Sequence, residues 1–301
     1  MIDVVIMSHC PNPQLSVLVK LLERQTITPG HIIILNVGEQ YWDDSLITDS
    51  DTAEVIHIDE RSFDPAEYMN MALDFSGAEH ILFISQNAVP VNDKFIFRLM
   101  RSFRNPKVKA AYARAVTPAG REDINTYEFL EYYPEEPALV SYDDYEDLGV
   151  VACLGHPLCM MYDAGFVREC GGFDSASKAE PRIVMNAKIL ASGKKISYSA
   201  FAEFMCSTRE SLRAIFGKWF NIGSVFSDYS ELFPRDASKK VSGDEHANIT
   251  GYLKETGNFR VMLSFVFRGM IRKIGFSLGK QHLRLPSFVS RMLSYGGFCR
   301  K

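Results

Sequence analysis

Residues 81–90 read Ile-Leu-Phe-Ile-Ser-Gln-Asn-Ala-Val-Pro. Four apolar residues, Ile81 to Ile84, give way abruptly to small and polar ones, and a loop then leads into a helix-like stretch. A short apolar run bounded in this way is the pattern of a strand covered on both faces, as in a parallel sheet. Strands of that kind deliver their C-terminal ends to ligand sites. This one segment therefore constrains both the architecture and the place where a site must lie.

The same alternation runs through the first third of the chain. Apolar runs at 2–8, 32–35, 80–85 and 108–113, with a short edge strand at 55–58, are separated by helix-spaced segments at 13–25, 65–75 and 91–104. Such alternation predicts an α/β fold, a Rossmann-like and mostly parallel sheet flanked by helices. The strand ends Ser8–His9, Asn36–Gly38 and Ser85–Ala88 would then share one edge. No Gly-x-Gly-x-x-Gly follows the first run, which argues against a dinucleotide-binding oxidoreductase.

Residues 114–160 break the pattern with a concentration of acids and tyrosines, Glu128, Glu131, Tyr132 and Tyr133 among them. They read as a long, partly ordered excursion over the site, with most of the acidic side chains solvated. Helical spacing returns at 163–170, 178–193 and 209–228, with a strand expected at 195–199.

Charge is divided unevenly along the 301 residues. From residue 251 onward ten Lys/Arg face a single acid, Glu255, so the tail carries +9 and the preceding body −13, which together give the chain's −4. Within 259–274, Arg260, Ser264, Arg268 and Arg272 recur every four residues among large apolar side chains. This predicts a basic amphipathic helix with two readings: docking on anionic lipid headgroups through its arginines, or packing its apolar face on the body or a second subunit. The acidic body argues against nucleic acid as partner. No apolar run approaches a membrane span, no signal-like segment opens the chain, and the six cysteines lack metal-ligand spacing. A cytoplasmic setting with reduced thiols is expected.

Taken in order, the segments resemble a family 2 glycosyltransferase of the GT-A fold, and within it the rhamnosyltransferases of bacterial surface-polysaccharide synthesis. Gln25-Thr26 matches the end of the first helix, and Phe63-Asp64 through Asn70-Met71-Ala72 is similar to the approach to Arg-Asn-x-Ala. Ser85-Gln86-Asn87-Ala88-Val89-Pro90 resembles Thr-Gln-Asp-Ala-x-Pro, and Gly171-Gly172-Phe173-Asp174 matches Gly-Gly-Phe-Asp. Ala187 to Ile196, Phe220-Asn221-Ile222-Gly223 and Ile274 to Gly279 with Leu283 to Pro286 parallel the family's later segments.

The resemblance implies a division into a glycosyltransferase-like domain over 1–230, with a nucleotide-sugar half (1–113) and an acceptor half (114–230), and a basic helical segment over 231–301. It implies a dTDP- or UDP-linked donor contacted by Ser8, His9, Asn36, Asn70, Gln86 and Asn87. It also implies a glycan or lipid-linked acceptor beside His156, and Glu180 or Asp174 as the catalytic base. The enzyme would be inverting, transferring a sugar such as rhamnose on the cytoplasmic face of the membrane, with a homodimer as one possible assembly.

Several positions depart from the family's pattern. An acidic pair is replaced by Asn36-Val37, the arginine of Arg-Asn-x-Ala by Met69, and the metal-binding aspartate by Asn87. Arg182 competes with Glu180 for the base position, and Phe204 to Ser207 lacks the usual histidine. Mg²⁺ or Mn²⁺, which prefer anionic oxygen ligands, would be held weakly by Asn87 or dispensed with. Two classes stay open: an active transferase with a modified site, or an inactive glycosyltransferase-like module that binds a sugar, nucleotide or partner. Simpler roles also exist, since Asp174 suits a turn cap, Glu180 a helix-dipole charge, and His9 and His156 packed positions.

Overall fold

The computed structural model describes residues 1–48, 50, 52–118, 123–177, 180–206, 210–239, 241 and 246–295. In chain order the elements of the first half are β1 (Ile2–His9), α1 (Gln14–Glu23), β2 (Ile32–Val37), β3 (Ala53–Ile58), α2 (Pro65–Phe75), β4 (His80–Ser85), β5 (Val89–Pro90), α3 (Phe95–Met100) and β6 (Val108–Val116). There follow α4 (Ile124–Tyr132), β7 (Ala138–Val140), α5 (Tyr145–Leu148), α6 (Val151–Leu154), β8 (Cys159–Asp163), α7 (Ala164–Glu169), α8 (Pro181–Ala191) and β9 (Lys195–Met205). The last helices are α9 (Leu212–Asp228), α10 (His246–Glu255), α11 (Phe259–Gly279) and α12 (Ser287–Leu293).

One sheet runs β3-β2-β1-β4-β8-β6-β9-β5, with β7 also paired to β9. β3, β2, β1 and β4 are mutually parallel, as are β6 and β9, while β8 runs antiparallel between β4 and β6. The expected α/β architecture is present. Both faces of the parallel part are covered: Val5, Ile33 and Leu35 enter one core, and their neighbours Val4, Ile6, Ile32 and Ile34 enter the other. That two-sided burial is why these strands read as unbroken apolar runs. The order of strand addition reverses between β1 and β4, with β2 and β3 laid on one side of β1 and β4 on the other, which makes the C-terminal ends of β1 and β4 the switch point where such sheets bind ligands.

Two expectations need correction. Residues 159–163 form the antiparallel strand β8 where no strand was expected, and α7 starts immediately after it, capped by Asp163. The stretch 114–160 holds three helices, α4, α5 and α6, and the strand β7 among its described residues. Its acidic α4 is not a solvated surface, because Glu131 is buried and Glu128 nearly so.

The arginine stripe of the tail is also not a headgroup-facing surface. A repeat of four residues advances about 40° per step beyond a full helical turn, so the stripe winds around α11 instead of holding one face. Arg260 and Ser264 remain exposed, whereas Arg268 and Arg272 turn inward. Arg268 grips Glu128 through two nitrogens at 2.8 and 2.9 Å, and Arg272 meets Glu131 at 2.7 Å and also pairs with Glu128. His246 of α10 adds a contact to Glu131 at 2.8 Å. The tail residues 296–301 lie outside the described residues.

α11 reaches this position by crossing α9 at glycines. A Cβ on Gly223 would collide with the Phe276 carbonyl oxygen and one on Gly279 with that of Phe220, while at Gly275 the Phe216 carbonyl would be 2.6 Å away. The glycines of the 220–223 and 274–279 motifs thus face one another across a backbone-to-backbone contact. Gly279→Ala is expected to destabilise the protein by at least the ~1–3 kcal/mol typical of overpacking. Gly251→Ala, with open space around it in α10, should instead stabilise by about 0.4–1 kcal/mol. Thermal melts of the two variants would separate these signs.

Candidate functional site

At the β1–β4 switch point, the predicted residues first lock one another. The Ser8 hydroxyl donates to Gln86 Oε1 at 2.7 Å, and Gln86 Nε2 donates to the His9 carbonyl at 2.8 Å. Both ends of the Gln86 amide are thereby used to hold the two strand ends in register. The His9 ring lies edge-on to Tyr41 and 3.7 Å from Glu60. Asn87, one residue beyond, is half-buried, and its side-chain amide takes no hydrogen bond from a described residue.

Asn36 sits at the end of β2, fully buried. Its Nδ2 donates to the Gly38 carbonyl at 3.1 Å and approaches His57 Nδ1 at 3.2 Å, while its Oδ1 is buried without a partner. A buried acceptor left unmet in this way costs about 1–3 kcal/mol.

Asn70 is engaged within the protein. Its amide donates to the Phe173 carbonyl at 2.8 Å and accepts from the Phe173 N–H at 2.7 Å. This two-way clamp holds the turn at Gly172, whose φ of +78° suits glycine and where a Cβ would lie 2.6 Å from Asn70 Oδ1. Asp174 follows on that turn and accepts from the Ala176 N–H at 2.8 Å, capping the 3₁₀ turn Ser175–Ser177. Its geometry is that of a cap.

The remaining predicted residues gather around a cavity of about 170 Å³ beside the switch point. Glu180, His156, Arg182, Lys218, Tyr133 and Trp219 are among its lining. The cavity joins the end of β4 through Leu158, whose carbonyl accepts the Ser85 N–H at 2.8 Å. Glu180 stands at the N-cap of α8, just before Pro181 in the first turn, and its side chain makes no capping hydrogen bond. It is buried and takes no hydrogen bond from a described residue. Burial raises its pKa above the usual carboxylate range, against the opposing pull of the Arg182 and Lys218 charges.

His156 accepts the Leu158 N–H on Nδ1 at 3.0 Å, which puts its proton on Nε2. That Nε2 is buried without a partner. The ring is wedged against Tyr133 and Phe204, and burial, with Lys218 and Arg182 adding to it, holds its pKa well below the ordinary value. It is therefore a neutral imidazole in the cavity wall, with its Nε2–H buried.

Sequence reasoning did not assign roles to Lys218 and Glu210. Lys218 Nζ pairs with Glu210 at 3.2 Å. Burial alone would lower the lysine's pKa, but Glu210 and Glu180 outweigh it and keep the charge in place. The available signal was a single cation inside an apolar helix face, between Ile215 and Ile222. Arg182 donates to the Pro157 carbonyl, so both cations are fixed at the cavity wall.

The donor set does not suit a divalent metal. The strand-end ligand is the neutral amide of Asn87, and among the described residues no three His, Cys, Asp or Glu side chains converge as a ligand group. Hard cations of this class favour anionic oxygen. The positive charge at the cavity comes from Arg182, Lys218 and Arg272, the last already paired with Glu128 and Glu131.

No family model matches the chain. It is 24% identical over 277 residues to the O-antigen chain rhamnosyltransferase RfbN of Salmonella typhimurium, covering 91% of this chain and 87% of that protein. It is 23% identical over 277 residues to the O-antigen chain rhamnosyltransferase WbaN of Salmonella anatum, covering 90% and 86%. Among solved structures it is similar to the mannosyltransferase PcManGT from Pyrobaculum calidifontis in complex with GDP-Man and Mn²⁺, with a TM-score of 0.58, 11% identity, and coverage of 97% of this chain and 77% of that one. It is also similar to residues 1–349 of S. aureus TarS in complex with UDP-GlcNAc, with a TM-score of 0.51, 14% identity, and coverage of 94% and 91%. With its parallel β3-β2-β1-β4 order and the site at the β1–β4 switch, the chain has the fold of the GT-A-like glycosyltransferases.

Proposed function

We propose that the protein is a glycosyltransferase that moves a sugar from a nucleotide diphosphate donor to a growing surface polysaccharide of the O-antigen type. The observation that carries this reading is the buried Glu180 carboxylate, which makes no capping hydrogen bond on its own helix and lines a cavity adjoining the β1–β4 switch point. The relatives, both O-antigen chain rhamnosyltransferases by name, support a polysaccharide acceptor and rhamnose as the sugar; dTDP and UDP are the two carriers to test. A lipid-linked glycan on the cytoplasmic face of the membrane would bring donor and acceptor to the same place.

In the proposed reaction the nucleotide lies across the ends of β1 and β2, where Asn36 Oδ1 awaits a donor from the base. The acceptor hydroxyl enters the cavity, and Glu180 removes its proton as the oxygen attacks the anomeric carbon from the face opposite the leaving diphosphate. Configuration inverts in one displacement. The His156 Nε2–H holds a sugar oxygen, and Arg182 and Lys218 offset negative charge that develops beside them.

Calorimetric titration with dTDP and with UDP, each with and without Mn²⁺, tests the donor half. Binding of one nucleotide at similar affinity in both conditions is expected. A strict requirement for Mn²⁺ would refute the fixed-cation reading. No binding of either nucleotide would leave the inactive module as the better account.

A further inference from the structure

The outward face of α11 is apolar. Phe259, Leu263, Phe267, Met270 and Ile274 fall on one stripe along about 22 Å of helix. All five are exposed, Leu263 by 65% and Phe267 by 45%. They lie across the helix axis from Phe265, Arg268, Arg272 and Gly275, which are buried. Single exposed apolar residues are ordinary, but five in register on one helix mark an interaction surface. The chain that follows adds exposed Leu283, Phe288 and Met292.

Cations rim this surface. Arg260 and Lys273 flank the stripe on α11, Arg284 follows it, and all three are exposed. From residue 256 to residue 295 there is no acid. A second copy of the chain laid on the stripe would set cation against cation, with no carboxylate in the segment to offset the repulsion. An anionic membrane surface answers both features, offering acyl chains to the stripe and phosphates to the rim.

We propose that α11 lies in the interface of an anionic membrane, with the stripe from Phe259 to Ile274 turned into the headgroup–acyl boundary. No helix among the described residues is long and apolar enough to cross a membrane, so the helix lies along the surface. Attachment differs in kind from the arginine-led docking suggested by sequence. Arg268 and Arg272 are held by α4, so apolar insertion leads and the rim cations assist.

Vesicle binding needs neither donor nor acceptor, so the test is independent of catalysis. The full chain is sedimented with unilamellar vesicles of phosphatidylglycerol and phosphatidylethanolamine. It should partition onto them, and the double variant Leu263→Glu, Phe267→Glu should partition at least tenfold more weakly with an unchanged melting temperature. Raising NaCl shortens the screening length from about 10 Å at 0.1 M to about 3 Å at 1 M, and should weaken wild-type binding by less than tenfold. The proposal is overturned by a wild-type chain that stays in the supernatant, by a double variant that sediments like wild type, or by a larger salt effect. A wild-type dimer that the double variant dissociates, without vesicle binding, would assign the stripe to a second copy and overturn it equally.

Discussion

Replacing Glu180 with Gln is expected to lower turnover by about 10²–10⁴-fold, the usual contribution of a positioned general base, while leaving nucleotide affinity nearly unchanged. The amide keeps the size of the side chain but cannot take the acceptor's proton. Because burial raises the Glu180 pKa, wild-type turnover should climb with pH through that raised value, where the carboxylate becomes charged.

The same shift affects stability with a definite sign. Between the unfolded glutamate pKa and the raised folded value, the folded state binds more protons than the unfolded one. Stability then falls as pH rises across that window, and at neutral pH the charged carboxylate is a net burden. Glu180→Gln should therefore raise the melting temperature at pH 7 while abolishing most activity. An unaffected rate in a donor-consumption assay would remove Glu180 as the base. A lowered melting temperature with lost activity would point to a structural role instead.

The second large effect concerns Arg272, which is 5% exposed. It pairs with Glu131 and Glu128 and stacks 5.2 Å above the Tyr132 ring. Arg272→Met leaves Glu131, itself 2% exposed, with His246 alone, and a buried carboxylate stripped of its cation costs about 3–5 kcal/mol. For a chain of this size that is a fall in melting temperature on the order of 10 °C. Arg260→Met, on the exposed side of the same helix, should change stability by less than about 0.5 kcal/mol. Equal melting temperatures for the two variants would contradict the inward orientation of α11.

Much of the first third of the chain was legible because its strands are buried on both faces. Ile32–Leu35 and Ile81–Ile84 can only be central strands, and the polar residues that end them fall at the switch point by topology alone. β8 was illegible for the opposite reason. Cys159–Asp163 is antiparallel and short, its Asp163 caps the helix that follows, and no turn residue separates the two elements. β9 was underestimated because Ala200 and Ala202 dilute the β-branched and aromatic signal in the middle of an eleven-residue strand.

In the site, Glu180 and His156 were legible only through the family resemblance, since by residue type alone a carboxylate before a helix-opening proline suits a helix-dipole charge and a lone histidine a packed position. What Gln86 and Asn70 do was not local. Their amides are consumed by His9 and Phe173, partners 77 and 103 residues away. The orientation of α11 was hidden in the same way, because the carboxylates that turn its arginines inward belong to α4. A helical wheel drawn from 259–274 alone puts charges toward water.

That last pairing also sets when the site can exist. Arg272 is part of the cavity wall, and it lies 141 residues after the Glu131 it neutralises. At ribosomal speeds of about 5–20 residues per second, the interval between synthesis of the two is on the order of 10 s. Throughout that time α4 carries carboxylates that have no cation to meet and must stay hydrated. The strands of the β1–β4 switch are made first, but the cavity beside them is enclosed only once α11 has followed.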